Sequence, residues 1–104
     1  MVRIHGNWCG PGWTAGRNID ALEYKRQGGQ FDERCVDELD CACREHDRDC
    51  AHPNGCSKKG DTKLIKTALS VSINPRNRIL NPSLANTAAL IAAGITAARP
   101  TRRR

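Results

Sequence analysis

Four side chains that could take part in chemistry share one stripe in the middle of the chain. Cys43, His46, Asp47 and Cys50 recur at intervals of three, one and three residues, and side chains with this spacing share one face of an α-helix. The stripe combines an imidazole that can accept a proton near neutral pH, a carboxylate and two thiols that can form disulfides. It therefore predicts either an acid–base site fastened by disulfides or a metal site.

The metal alternative is a zinc module. Cys41, Cys43, His46 and Cys50 would supply four zinc ligands within ten residues, and the basic second half of the chain could then bind nucleic acid. On an unbroken helix, however, Cys41 points about 200° away from Cys43, so the four ligands converge only if the helix is interrupted. Three disulfides would exclude this alternative.

The segment 5–16 is rich in glycine and contains Gly-Pro-Gly, which is typical of tight turns. Trp8 and Trp13 argue against a flexible linker, so we predict a shaped loop fastened through Cys9. Glycine permits close approach of the backbone, and inward carbonyl oxygens together with one carboxylate suit Ca²⁺. Asp47 could supply that carboxylate.

The six cysteines and the charge distribution suggest where the protein works. The chain has 104 residues, of which 38% are hydrophobic and 4% aromatic, so a single domain with a small core needs additional fastening. An even number of cysteines predicts a disulfide framework and an oxidising compartment, with 15 pairings open. No acidic residue follows Asp61, whereas residues 62–104 carry eight Lys/Arg. This asymmetry predicts a basic surface that meets phospholipid, nucleic acid or an acidic protein.

The local signals predict a mainly α-helical domain over residues 1–98. A first helix is expected over 33–50 with Asp32 as its N-cap, after an irregular connection over 17–31. The motif His-Pro-Asn-Gly ends it at residues 52–55.

A second helix is expected to begin near Asp61, which either caps it or faces the core with a partner. Residues 75–82 are predicted to form a basic loop. A third helix, capped by Ser83, would pack on the core or lie on a membrane or partner. We predict a disordered basic tail at 99–104.

Two motifs in this order resemble the secreted phospholipase A2 superfamily. Trp8-Cys9-Gly10-Pro11-Gly12 resembles its Cys-Gly-x-Gly calcium loop in the bee-venom form. The stretch from Asp40 to Asp47, Asp-Cys-Ala-Cys-Arg-Glu-His-Asp, is similar to its active-site helix, Asp-x-Cys-Cys-x-x-His-Asp. Asp61-Thr62-Lys63-Leu64 resembles the Ala-Asp-x-x-Leu segment of phospholipase domains in parvovirus capsid proteins. The resemblance covers about half of the chain, residues 5–16 and 37–69.

The resemblance implies a calcium-dependent phospholipase A2 with two antiparallel core helices and a calcium loop, stapled by a Cys9–Cys43 disulfide. His46 would be the general base and Asp61 its supporting acid, and the Gly10 N–H would stabilise the oxyanion. The implied Ca²⁺ ligands are the carboxylate of Asp47 and three main-chain carbonyls, those of Trp8, Gly10 and Gly12. The chain departs from the family at Cys50, where the family has a tyrosine, at Trp13 and in the Cys-Ala-Cys spacing, and the partners of the other four cysteines do not carry over.

Location and partners follow as further expectations. Residues 1–6 lack the apolar run of a signal peptide, so we expect a secreted, mature or excised form, or a product carried in a virus particle. The basic second half would favour adsorption to an anionic phospholipid surface, and on this interpretation nucleic acid is not expected as a partner. The alternative within the same fold is a catalytically weak module that binds or disrupts membranes.

Overall fold

The computed structural model describes residues 2–104 and is mainly helical. Two short antiparallel strands, β1 (Trp13–Thr14) and β2 (Arg17–Asn18), precede helix α1 (Ala21–Arg26). Four further helices follow: α2 (Glu38–Cys50), α3 (Lys58–Ile73), α4 (Pro75–Leu80) and α5 (Pro82–Ala98). A 3₁₀ turn (Arg99–Thr101) ends the sequence of elements. Within residues 2–104, no helix is long and apolar enough to span a bilayer.

Helix α2 begins at Glu38 with Asp37 as its cap, and not at residue 33 with Asp32 as predicted. The reason lies in hydrogen bonds to side chains, which occupy the backbone ahead of the helix. The carbonyl of Arg34 accepts from the indole of Trp8 at 2.9 Å, and the Val36 N–H donates to Asp40 at 2.9 Å. These groups are therefore unavailable for the regular bonds of a helix.

Helices α2 and α3 lie antiparallel against each other. The pairs Asp49–Ser57 and His46–Asp61 are in contact, so residue numbers rise along α3 as they fall along α2. Helix α3 begins earlier than predicted, because Ser57 caps it through the N–H of Gly60 at 2.9 Å. The hypothesis that Asp61 is only a cap is therefore wrong.

Helix α5 packs on the core through small side chains. Its buried residues, Ala85, Ala88, Ile91 and Ala92, lie on one face that packs chiefly against α3, because alanine allows two helices to approach closely. The core-packing interpretation of this helix is confirmed. Its cap is Asn81 and not Ser83, since the Asn81 side chain accepts from the Leu84 N–H.

Two segments that were expected to be irregular are helical. Residues 21–26 form α1, capped by Asp20, within the predicted connection 17–31. The predicted basic loop forms α4, in which Pro75 occupies the first turn after Asn74. Proline is compatible with that position because its missing N–H would have no partner within the helix.

All six cysteines form disulfides, which confirms the predicted framework and removes the thiolates that a zinc module needs. The pairs are Cys9–Cys43, Cys35–Cys41 and Cys50–Cys56. The first, implied by the family resemblance, joins the glycine loop to α2. The zinc alternative is therefore wrong, although the sulfurs of Cys50 and Cys56 lie near His46.

The basic segment 99–104 packs against α2 and α3, in contrast to the disordered tail that we predicted. Arg102 donates to Asp61 at 2.7 Å. Arg104 donates to the carbonyl of Asp49 at 2.8 Å and to that of Gly55 at 2.9 Å. The buried carboxylate of Asp61 and two backbone carbonyls thus hold arginines that composition alone assigns to solvent.

Candidate active site

A buried aspartate fixes the glycine loop against α2. Asp40 is fully buried and accepts hydrogen bonds from three backbone N–H groups, those of Asn7 at 3.1 Å, Trp8 at 2.9 Å and Val36 at 2.9 Å. Hydrogen bonds of this kind to a buried carboxylate are strong. Asp40 therefore sets the position of the loop start relative to α2. The sequence motif contained this residue, but we assigned it no role.

The loop itself requires glycine for steric reasons. Gly10 and Gly12 have φ angles of +143° and +65°, which side-chain-bearing residues rarely adopt. A Cβ atom on Gly10 would also collide with the carbonyl oxygen of Val2. Trp8 anchors the loop in the core. It is fully buried, and its ring packs edge-on to that of Tyr24 with the ring centroids 5.8 Å apart.

His46 and Asp61 form a buried pair between α2 and α3. Nε2 of His46 lies 2.7 Å from Oδ1 of Asp61; the side chain of His46 is 9% exposed and that of Asp61 is 0% exposed. Burial raises the pKa of Asp61, but hydrogen bonds from Arg102 and His46 outweigh this effect and hold it below its ordinary value. Asp61 is thus a carboxylate, which accepts a hydrogen bond from the Nε2–H of His46 and leaves the lone pair of the neutral imidazole on Nδ1.

The free nitrogen of His46 lies beside the Cys50–Cys56 disulfide. Nδ1 is 3.6 Å from Sγ of Cys50. A disulfide sulfur has no proton to donate, so this contact leaves the Nδ1 lone pair available as a base. Helix α2 places Cys50 one turn after His46, which is why the two side chains meet.

Asp47 provides a carboxylate oxygen with no partner. Oδ2 of Asp47 is buried and makes no hydrogen bond to any residue from 2 to 104. Burial, with a smaller contribution from the negative charge of Asp40, raises the pKa of Asp47 to about 8. An unpaired buried carboxylate that borders the same cavity as the glycine loop has the chemistry of a hard-cation ligand, so these residues fit Ca²⁺.

These groups border one largely apolar cavity of about 720 Å³. The residues on its wall include Trp8, Gly10, Gly12, His46, Asp47 and Arg102. Hydrocarbon side chains complete it, among them Leu22, Leu64, Ile91 and Ile95. Asp61 lies behind His46 and does not line the cavity. The structure therefore brings the predicted site residues to one place, and Asp61 contacts two residues of the cavity wall, His46 and Arg102.

Sequence reasoning missed Arg102, which contacts Asp61 and also lines the cavity. Its basic neighbourhood, Arg-Pro-Thr-Arg-Arg-Arg, suggested only a charged tail. One signal was present: Asp61, an acid on the core-facing side of α3, required a cation from elsewhere in the chain. Nothing local pointed to a residue 41 positions later.

The metal-free protein is expected to lose stability as the pH rises from about 4 to about 8. Over this window the folded state keeps a proton on Asp47, whereas the unfolded state has lost it, since the pKa of the carboxyl is raised from 3.8 to about 8 by folding. The folded state thus binds more protons, and stability falls with pH by a few kcal/mol. The pKa of Asp61 is lowered by folding, so its titration changes the stability only at pH values below this window.

Urea unfolding in the presence of a chelator, repeated across this pH range, measures the effect. Asp47→Asn should flatten the dependence, because an amide does not titrate. Asp32→Asn, at an exposed position outside the site, is the matched control and should leave the slope unchanged. An unchanged slope in Asp47→Asn would contradict the assignment.

The fold and the site together define a small, disulfide-bonded, mainly helical domain. It contains a buried histidine–aspartate pair, and the histidine borders an apolar cavity. No family model matches the chain, and neither the curated proteins nor the solved structures include a match. The resemblance to secreted phospholipases A2 therefore rests on the sequence motifs alone.

Proposed function

We propose that this protein is a calcium-dependent phospholipase A2 with a phospholipase A2-like fold, which hydrolyses the sn-2 ester of glycerophospholipids to a fatty acid and a lysophospholipid. The observation that carries the proposal is that a histidine paired with a buried aspartate and an unpaired aspartate carboxylate border the same apolar cavity. His46 and Asp61 supply acid–base chemistry, and Asp47 with the glycine loop supplies a site for a hard cation.

His46 acts as the base. A water molecule donates to Nδ1, which takes its proton as the water oxygen attacks the ester carbonyl carbon. Asp61 stabilises the imidazolium that forms and keeps the ring oriented through Nε2 at 2.7 Å. The imidazolium then returns the proton to the departing glycerol oxygen. Water is the nucleophile, so no acyl-enzyme forms.

The glycine loop and Asp47 support this step. Gly10 N–H donates to no residue from 2 to 104 and is available to the developing oxyanion. Ca²⁺ would be held by the carboxylate of Asp47 and by carbonyls of Trp8, Gly10 and Gly12, and when bound it supplies Lewis-acid stabilisation of negative charge on the ester oxygen. The hydrocarbon wall of the cavity suits the acyl chain of a lipid.

The second half of the chain suits an anionic membrane surface. Residues 62–104 carry eight Lys/Arg and no acid, and each basic side chain near such a surface adds about 1 kcal/mol of attraction. Arg102 and Arg104 are bound within the protein, so other basic residues, such as Lys63, Lys66 and Arg76, would carry this attraction. A secreted or particle-borne protein fits the disulfides.

The proposal is tested by fatty-acid release from vesicles of phosphatidylcholine and phosphatidylglycerol that carry different labels in the sn-1 and sn-2 chains. We expect release of the sn-2 label with calcium, none in a chelator, and recovery when calcium is restored. Vesicles of phosphatidylcholine alone should be hydrolysed more slowly. Vesicle leakage without any fatty-acid release would contradict the proposal and favour a membrane-disrupting module.

A further inference from the structure

Arg102 makes a two-point contact with the acid behind the proposed base. Its Nε donates to Oδ2 of Asp61 at 2.7 Å, and its Nη2 donates to Oδ1 at 3.3 Å. Oδ1 also accepts from Nε2 of His46 at 2.7 Å. Both carboxylate oxygens of Asp61 are therefore occupied, and three N–H groups surround one carboxylate whose side chain is fully buried.

This contact has an electrostatic consequence for His46. A carboxylate with no exposure to water is strongly disfavoured unless hydrogen bonds and an opposite charge replace its hydration. A neutral imidazole provides one N–H and no net charge, whereas a guanidinium provides several N–H groups and a charge that is always present. Of the groups that contact Asp61, Arg102 is thus the one with a permanent positive charge.

We propose that Arg102 is a positioning residue that keeps Asp61 a hydrogen-bond acceptor and thereby fixes the proton of His46 on Nε2, leaving Nδ1 as the base. Its effect on catalysis rests on the proposed function, but the position of the proton does not. Without Arg102, burial favours the neutral carboxyl of Asp61. That carboxyl, which takes its proton from solvent, would donate to Nε2, the imidazole proton would be carried on Nδ1, and the Nδ1 lone pair beside Cys50 would be lost.

Neighbouring residues do not duplicate this contact. Cys50, whose Sγ lies 3.6 Å from Nδ1, is in a disulfide and has no proton to donate to Asp61. Arg99 donates instead to the hydroxyl of Thr62 at 3.1 Å. Arg103 is exposed and makes no hydrogen bond or ion pair with the other described residues, so it provides a matched control with the same charge at the adjacent position.

The test is a comparison of four full-length forms: the wild type, Arg102→Gln, Arg102→Lys and Arg103→Gln. Long-range ¹⁵N–¹H correlation spectra of histidine-labelled protein at mildly alkaline pH report which ring nitrogen of His46 carries the proton. We expect the proton on Nε2 in the wild type and in Arg103→Gln, on Nδ1 in most Arg102→Gln molecules, and mainly on Nε2 in Arg102→Lys. Thermal melting with the disulfides intact confirms that each form is folded.

Activity provides a second readout, measured on a dispersed short-chain phospholipid so that membrane attraction does not contribute. Arg102→Gln should lower kcat by about tenfold to hundredfold with KM little changed, since a misplaced proton removes the base without removing the cavity. Arg102→Lys should recover part of the loss. Equal losses in Arg102→Gln and Arg103→Gln would overturn the proposal, as would a folded Arg102→Gln that keeps the Nε2 proton. If the wild type were inactive, the spectra would still decide the positioning role.

Discussion

Replacing His46 with glutamine is expected to lower calcium-dependent release of the sn-2 fatty acid by about 10²–10⁴-fold, the contribution that a positioned acid–base side chain makes. Glutamine can still donate to Asp61, so the buried carboxylate keeps one of its partners. It has no nitrogen able to accept a proton from water. The loss should therefore appear in kcat with little change in KM or in the melting temperature.

His52→Gln is the matched control for this substitution. His52 follows α2, and its Nδ1 accepts from the backbone N–H of Asn54 at 3.0 Å, outside the cavity. We expect its kcat to equal that of the wild type. Retention of wild-type kcat by a folded His46→Gln protein would remove His46 from the mechanism and leave the fold without an identified base.

Replacing Asp47 with asparagine is expected to lower activity by about 10²–10³-fold, comparable with the loss of one oxyanion-stabilising group. The buried Oδ2 of Asp47 has no partner among residues 2–104, and an amide is a far weaker ligand for a hard cation than a carboxylate. Calcium should therefore no longer raise the melting temperature. In a chelator at alkaline pH the variant should be more stable than the wild type, because it does not bury an unpaired charge.

Differential scanning fluorimetry with a calcium titration, alongside kcat measurements, separates these effects. Repeating the titration with magnesium shows whether the site prefers calcium, since Mg²⁺ tolerates an irregular set of oxygen ligands less well. Asp32→Asn again serves as the control. A calcium-dependent rise in melting temperature that persists in Asp47→Asn would show that the cation binds elsewhere, and the assignment of Asp47 would be wrong.

The parts of the fold that follow from short-range patterns could be predicted. The stripe with Cys43, His46 and Asp47 lies on one helix, because a spacing of three and four residues places side chains on one face wherever a helix forms. The turn through Gly10-Pro11-Gly12 is part of a shaped loop, as Gly-Pro-Gly predicts, although the same segment ends in the short strand β1. The family resemblance supplied the Cys9–Cys43 pairing, which the structure contains. The roles of these residues in catalysis stay predictions.

Helix boundaries were less predictable than the helices themselves. Asp32 and Ser83 had suitable cap chemistry, yet Asp37 and Asn81 are the caps. Many residues can cap a helix, and the choice between neighbours a few positions apart depends on other bonds to the same backbone. At α2 the deciding bonds come from the glycine loop, because Trp8 takes the Arg34 carbonyl ahead of the helix.

The sequence alone determined that this protein carries a histidine and an aspartate on one helical stripe, a constrained glycine loop and enough cysteines to staple them. Only the three-dimensional packing shows what surrounds the histidine: Asp61 at its Nε2, the Cys50–Cys56 disulfide beside it, and Arg102 bound to the same Asp61 carboxylate. Periodicity and turn signals act over a few residues and can be read locally. An ion pair between residues 41 positions apart depends on how α3, α5 and the segment after α5 pack, and it leaves no local pattern in the chain.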